Sequence, residues 1–299
     1  MEEKILEINH LRKVYKDVVA LEDLSFEVKK GQVFGLLGPN GSGKTTTLGI
    51  LLGVLRQNSG DFSWFNNGNK DENRKNIGAL LETPNFYPYL SAFDNLVVVA
   101  KIKGMTNFES RIDEVLKRVN LYERKNSKFK TFSLGMKQRL AIASAMLNDP
   151  EVLVLDEPTN GLDPQGIAEI RHLIKEIALS GKTIIIASHI LDEIEKVCTH
   201  VAILRKGKLM QIGELKEVMT QERLLLLKSS DLKELKTAIQ KIPHVKFIND
   251  HQDEIVVSID DNFDPALLNK ELASLGIYLS SIREHRKNLE STFLEIIQS

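Results

Sequence analysis

The 299-residue sequence predicts an α/β fold built on a parallel sheet, followed by a small α+β unit. Three observations carry this. Short, largely apolar runs at 33–37, 152–155 and 183–187 alternate with stretches of helical periodicity, the pattern of strands covered on both faces. The first run leads through a glycine-rich loop directly into a helical stretch. Near residue 220 the order becomes strand-helix-strand-strand-helix-strand, that of a split βαβ sandwich.

The elements follow in order. Ile5, Leu6 and Ile8 open one strand, and Leu24, Phe26 and Val28 alternate with Ser25, Glu27 and Lys29 in a second. Gly31 interrupts the pattern before the run 33–37, and residues 45–55 read as a proline-free helix. Residues 66–76 are polar and read as a surface loop, followed by a strand at 77–81. Residues 111–120 form a helix with Ile112, Val115, Leu116 and Val119 on one face. Further helices are expected at 137–147, at 165–179 after Pro164, and at 190–197. The second of these turns Ile167, Ile170, Ile174 and Ile177 inward and ends at Gly181. A strand at 201–204 closes this part. Beyond residue 220, strands are expected at 224–227, 245–248, 254–259 and 277–282, with helices at 231–240 and 265–275. A last helix carries Leu289, Phe293, Ile296 and Ile297 on one face. The division is therefore expected between domains 1–221 and 222–299.

Composition narrows the function. Lys plus Arg is 40 and Asp plus Glu is 41, a net charge of −1 without the basic excess of a nucleic-acid binder. A single cysteine, Cys198, excludes an internal disulfide and a Cys-based zinc site, and it reads as a small buried hydrophobe. The start, Met1-Glu2-Glu3-Lys4, lacks an apolar secretion segment. No apolar run approaches the ~20 residues that span a bilayer, so the chain is not expected to be an integral membrane protein by itself.

Gly38-Pro39-Asn40-Gly41-Ser42-Gly43-Lys44-Thr45 matches G-x-x-x-x-G-K-[ST], between a strand and a helix as that motif requires. The glycines let successive N–H groups turn inward onto phosphate oxygens, and the helix N-terminus adds its positive dipole end. Lys44 is placed to reach the β- and γ-phosphates of a nucleotide, and the Thr45 hydroxyl to hold Mg²⁺, with Thr46 completing the stretch. The strand 152–155 ends in Asp156-Glu157, at the strand end where open α/β sheets put ligand chemistry. Asp156 suits the Mg²⁺ shell, and Glu157 suits a general base facing the attacking water.

With these motifs in this order, residues 5–220 resemble the ATPase subunit of an ABC transporter. Thr131-Phe132-Ser133-Leu134-Gly135-Met136-Lys137-Gln138-Arg139 resembles the family's signature loop, Leu-Ser-Gly-Gly-Gln, with Phe132, Leu134 and Met136 as departures. Ser133 and Gly135, which in the family touch the γ-phosphate, are retained; read alone, Ser133 is a helix N-cap. Asn160-Gly161-Leu162-Asp163 resembles the loop linking the two sites of a dimer, and read alone Asp163 caps the helix from Pro164. His189 resembles the switch histidine, a γ-phosphate contact, where a lone His at a strand end is otherwise structural. Tyr15 stands where the family stacks a ring on adenine, the alternative being a packed surface tyrosine. The family places Gln after the strand 77–81; here Glu82 stands there, a hard oxygen ligand that adds negative charge. Glu in that position resembles peptide-antibiotic resistance and immunity exporters. Phe86-Tyr87-Pro88-Tyr89 falls where the family meets its membrane subunits, though clustered aromatics serve cores equally.

The resemblance implies a P-loop NTPase fold. It has an N-terminal antiparallel β subdomain and a helical signature subdomain, with a small C-terminal α+β accessory domain. It implies an ATPase that forms a homodimer around two ATP, needs Mg²⁺, and drives transport, in the export direction, through separate integral-membrane permease subunits. It places the chain in the cytoplasm, on the inner face of a bacterial cell membrane, with no nucleic-acid partner. An ATP-dependent dimerising regulatory module is the alternative; a small-molecule kinase leaves the signature-like loop and His189 without a role.

Overall fold

The computed structural model describes residues 3–66, 70–81, 85–218, 223–251, 253–260 and 263–286. The chain forms two compact units, Met1–Val218 and Met219–Ser299. None of the described helices is long and apolar enough to cross a membrane.

The first unit opens with two long antiparallel strands, β1 (Lys4–Tyr15) and β2 (Val18–Lys29). Then come β3 (Val33–Leu37), α1 (Lys44–Leu51) and β4 (Ser59–Trp64), the last pairing antiparallel with β1. A short helix, α2 (Lys70–Asn73), leads into β5 (Ile77–Leu80). Three helices follow: α3 (Ala92–Ile102), α4 (Glu109–Arg118) and α5 (Leu134–Met146). The chain then alternates through β6 (Val152–Asp156), α6 (Pro164–Leu179), β7 (Thr183–Ser188), α7 (Leu191–Val197), β8 (His200–Arg205), β9 (Lys208–Glu214) and α8 (Leu215–Val218).

The sheet order is β5-β6-β7-β3-β8-β9, parallel except for the edge strand β9. Strands β3, β6 and β7 are buried at every residue, which is why their sequences are apolar without alternation. The antiparallel sheet β2-β1-β4 shares one core with the parallel sheet, where the rings of Phe26 and Phe34 stack 5.3 Å apart. Trp64 is fully buried there and donates its indole N–H to Leu51 O at 3.0 Å, joining β4 to the end of α1.

Several elements differ from the sequence reading. Helix α1 stops at Leu51 rather than 55, because Gly53 turns the chain at φ +74° and the amides of Val54 and Leu55 fold back onto Gly49 O. Residues 70–76 are helical, not a loop, because buried Asn73 donates its amide to Trp64 O at 3.0 Å and pins the segment to β4. Helix α5 begins at Leu134, three residues early, because Ser133 caps it. Ile167 is only half-buried, with Ile170, Leu173, Ile174 and Ile177 forming the inner face of α6. Strands β4 and β9 escaped the pattern because each is an edge strand with little fully buried surface.

In the second unit, β10 (Arg223–Ser229), α9 (Leu232–Ile239), β11 (Val245–His251), β12 (Glu254–Ile259), α10 (Pro265–Ser274) and β13 (Leu279–Arg286) form an antiparallel sheet ordered β11-β12-β10-β13. Its strand-helix-strand-strand-helix-strand order is that of a split βαβ unit. Leu225, Leu227, Leu235, Ile255, Val257 and Leu268 belong to its separate core. The helix carrying Leu289, Phe293, Ile296 and Ile297 lies outside the described residues.

Candidate active site

The glycine-rich loop bridges β3 and α1. Gly43 holds φ +107°, and a Cβ there would lie 2.6 Å from Leu21 Cδ2 and 2.8 Å from Ala20 O, so only glycine fits without displacing β2. At Gly38 a Cβ would fall 2.3 Å from Leu204 O. The loop is therefore seated on backbone from two strands, and Gly207 N–H donates to Ser42 O at 3.0 Å to fix it further. Pro39 and Asn40 form its rim with Gly41 at φ +78°, and the Pro39 carbonyl accepts from Ser42 N–H at 3.1 Å. Ser42 Oγ is buried and, among the described residues, has no hydrogen-bond partner, which leaves a donor available to an anion. Thr45 is exposed and Thr46 half-buried at the start of α1.

Lys44 is buried and curls over the loop, donating to Gly38 O at 2.8 Å and Pro39 O at 3.3 Å. Its Nζ lies 3.6 Å from Glu157 Oε1. Burial holds this ammonium below the usual lysine range, against the pull of Glu157 and Asp156. Glu157 turns at φ +47°, with its amide donating to Ala187 O at 2.9 Å. Its other carboxylate oxygen is 2.8 Å from His189 Nδ1, at the end of β7. Lys44, at the start of α1, and Glu157 and His189, which follow β6 and β7, thus form one continuous polar chain. Asp156, 2% exposed, is the last residue of β6, one position before Glu157.

A second group gathers around the ends of α5 and α6. Ser133 caps α5, accepting from Met136 N–H at 3.3 Å, and Asp163 caps α6, accepting from Gly166 N–H at 2.9 Å. With Gly135, Gly161 and Arg139 they line a cleft of about 460 Å³. Tyr15 is 41% exposed at the end of β1, and Lys13 Nζ lies 4.8 Å from its ring centroid. The turn after Tyr15 leads into Ala20 and Leu21, the residues that back onto Gly43. Glu82 lies outside the described residues. The nearby aromatics divide their work: Phe86 packs edge-on against Phe129 at 5.2 Å, while Tyr87 and Tyr89 are 50% and 63% exposed.

The donor set fits Mg²⁺ held through a nucleotide. Among the described residues no group of three or more His, Cys, Asp or Glu forms a metal cage. One carboxylate and one hydroxyl, Asp156 and Thr45, suit an ion that takes its remaining oxygens from phosphates and water. Sequence reasoning passed over three residues here. Glu193, 6% exposed on α7, accepts hydrogen bonds from Thr159 Oγ1 and, at 3.0 Å, from Ser188 Oγ. The available signal was a hydroxyl residue flanking each candidate, Thr159 after Glu157 and Ser188 before His189.

The chain is similar in sequence and fold to known proteins. The family model described as ABC transporter matches residues 21–160. The ABC transporter ATP-binding protein YhcH of Bacillus subtilis is 45% identical over 218 residues, 71% of each chain. The bacitracin transport ATP-binding protein BcrA of Bacillus licheniformis is 39% identical over 298 residues, 98% of this chain and 97% of that one. The fold also matches the dimeric post-hydrolysis state of the ATP-binding cassette MJ0796 bound to ADP and Pi. That match has TM-score 0.63 and 27% identity, over 71% of this chain and 99% of the other. The phosphate loop with its buried lysine, the strand ending in paired carboxylates and the near full-length similarity converge, and the chain belongs to the ATP-binding subunits of ABC transporters.

Proposed function

We propose that this ATPase subunit powers export of a peptide-antibiotic cargo through separate membrane subunits, working as a homodimer that closes around two Mg²⁺-ATP. The observation that carries the catalytic part is the chain Lys44–Glu157–His189 beside the phosphate loop. Lys44 leaves the loop carbonyls for the β- and γ-phosphates. Glu157 takes the proton of the attacking water, and His189 holds Glu157 and reaches the γ-phosphate. Thr45 and Asp156, with Glu82, would hold the Mg²⁺, which neutralises charge developing on the phosphates. Tyr15 offers a ring to the adenine.

The dimer is supported by the MJ0796 dimer and by the cleft bearing Ser133, Gly135 and Asp163, whose two helix N-termini favour an anion delivered by a second copy. The γ-phosphate is the differential contact: it stabilises the closed form, and its loss reopens the pair. The peptide-antibiotic cargo is supported by the activity named for the bacitracin relative, and the membrane partner by the exposed Tyr87 and Tyr89. We assign residues 1–221 to the nucleotide-binding domain and 222–299 to an accessory domain acting in dimer contacts or regulation. Glu157→Gln is expected to abolish turnover while ATP still binds and closed dimer accumulates. Normal hydrolysis by that variant overturns the role of Glu157.

A further inference from the structure

Glu193 connects the two segments that carry Glu157 and His189. One carboxylate oxygen accepts from Thr159 Oγ1, two residues after Glu157. The other accepts from Ser188 Oγ at 3.0 Å, one residue before His189. Ser188 is itself committed, since its Oγ accepts from Ile190 N–H at 3.0 Å and its carbonyl accepts from Gly38 N–H at 3.4 Å. One side chain on α7 therefore links the loop after β6 to the last residue of β7, whose backbone carbonyl also holds the first glycine of the phosphate loop.

This is an expensive arrangement for packing alone. Glu193 is 6% exposed, and among the described residues the two hydroxyls are its partners and no cation pairs with it. A buried carboxylate without a counter-charge costs stability that an apolar side chain would not. Its charge is felt nearby: burial, and to a smaller extent Glu193, pushes the Cys198 thiol above its usual range. The segment it restrains also needs restraint. Glu157 stands at φ +47°, in the left-handed region that costs a non-glycine residue about 1–2 kcal/mol.

We propose that Glu193 is a positioning residue for ATP hydrolysis, a clamp whose two hydroxyl tethers hold Glu157 and His189 at their 2.8 Å separation. The proposal rests on the reading of Glu157 as the general base. Glu193 touches no reacting atom; it sets where the water-activating carboxylate stands. Loss of a tether should therefore slow the chemical step and leave nucleotide binding intact.

The test uses the full-length chain. Thr159→Val keeps the shape and deletes one donor; Thr159→Ser restores the hydroxyl; Glu193→Gln alters both tethers. Steady-state ATPase rate, ATP affinity and unfolding followed by Trp64 fluorescence are measured for each. Thr159→Val and Glu193→Gln should lower kcat by about 10- to 100-fold, with KM and ATP affinity within about twofold, while Thr159→Ser keeps most of the rate. Should Glu193→Gln fail to fold, Thr159→Val and Thr159→Ser decide the matter. A wild-type kcat for Thr159→Val, a loss expressed mainly in KM, or a Thr159→Ser as slow as Thr159→Val overturns the clamp. Glu157→Gln, run in parallel, separates the two claims. If it hydrolyses normally, the base assignment fails; if it is silent while Thr159→Val runs at full rate, only the clamp fails.

Discussion

Substituting Gly43 by alanine tests whether the phosphate loop is shaped by its seat on β2. Two costs add at this position. A non-glycine residue at positive φ costs about 1–2 kcal/mol in the left-handed region, and the +107° here lies beyond that well. The new Cβ would also stand 2.8 Å from Ala20 O and 2.6 Å from Leu21 Cδ2. Neither neighbour yields easily. Ala20 O is backbone, Leu21 is fully buried, and Glu22 N–H is tied to Gly207 O at 2.8 Å. Overpacking of this kind costs about 1–3 kcal/mol, for a total of about 2–5 kcal/mol. Gly31→Ala is the control: φ is +78°, but nothing lies within 4 Å of the added Cβ, so about 1–2 kcal/mol is expected. Urea unfolding is read from Trp64, the single tryptophan, buried in this unit and bonded to the end of α1. ATP affinity should fall in Gly43→Ala and hold in Gly31→Ala. Equal destabilisation of the two variants, or unchanged ATP affinity in Gly43→Ala, would show that β2 does not shape the loop.

Further outcomes are expected. Ser133→Ala removes the cap of α5 and should cost about 1 kcal/mol of stability; a larger loss of ATPase than of folded protein at saturating ATP would separate the proposed nucleotide role from the capping role. Burial lowers the pKa of Lys44 below the ordinary 10.5, so between that lowered value and 10.5 the unfolded chain binds more protons than the folded one. Its contribution to stability is complete above 10.5 and lost as pH falls through the lowered value; the stability of wild type relative to Lys44→Met should rise with pH across that window in urea titrations, and a flat difference contradicts it. Cys198 is buried and its thiol is raised by that burial, so alkylation at neutral pH should proceed only on unfolding; rapid labelling of the native chain would be inconsistent with this. Leu225→Ala, at a fully buried position, should cost about 2–5 kcal/mol and raise hydrogen exchange across β10–β13.

Much of the architecture was readable because burial on two faces leaves an unmistakable mark. Runs such as 152–155 and 183–187, short and flanked by turn residues, read as buried parallel strands, and the motif 38–45 between strand and helix admits few other meanings. Edge strands left no such mark: Lys208–Glu214 alternates between half-buried and exposed residues, and Ser59–Trp64 buries only Phe62 and Trp64. The helix at 70–73 was hidden because its anchor, the Asn73 amide on Trp64 O, is a polar contact between segments with no periodicity to betray it.

The candidate site divides along the same line. Local chemistry alone named Lys44, Asp156 and Glu157, since a phosphate cradle and a carboxylate-bearing strand end are contiguous stretches of chain. Their partnership is not contiguous. Lys44 meets Glu157, and Glu157 meets His189, only because β3, β6 and β7 end side by side in the parallel sheet, bringing together residues 113 and 32 positions apart (157 − 44 and 189 − 157). Glu193 marks the limit most clearly. In the sequence it is one more acid on a surface-type helix. In the fold it is a buried carboxylate held by Thr159 and Ser188. Residue type and spacing announce groups that act through the backbone around them, whereas groups that act by reaching across loops become visible only when packing sets those loops side by side.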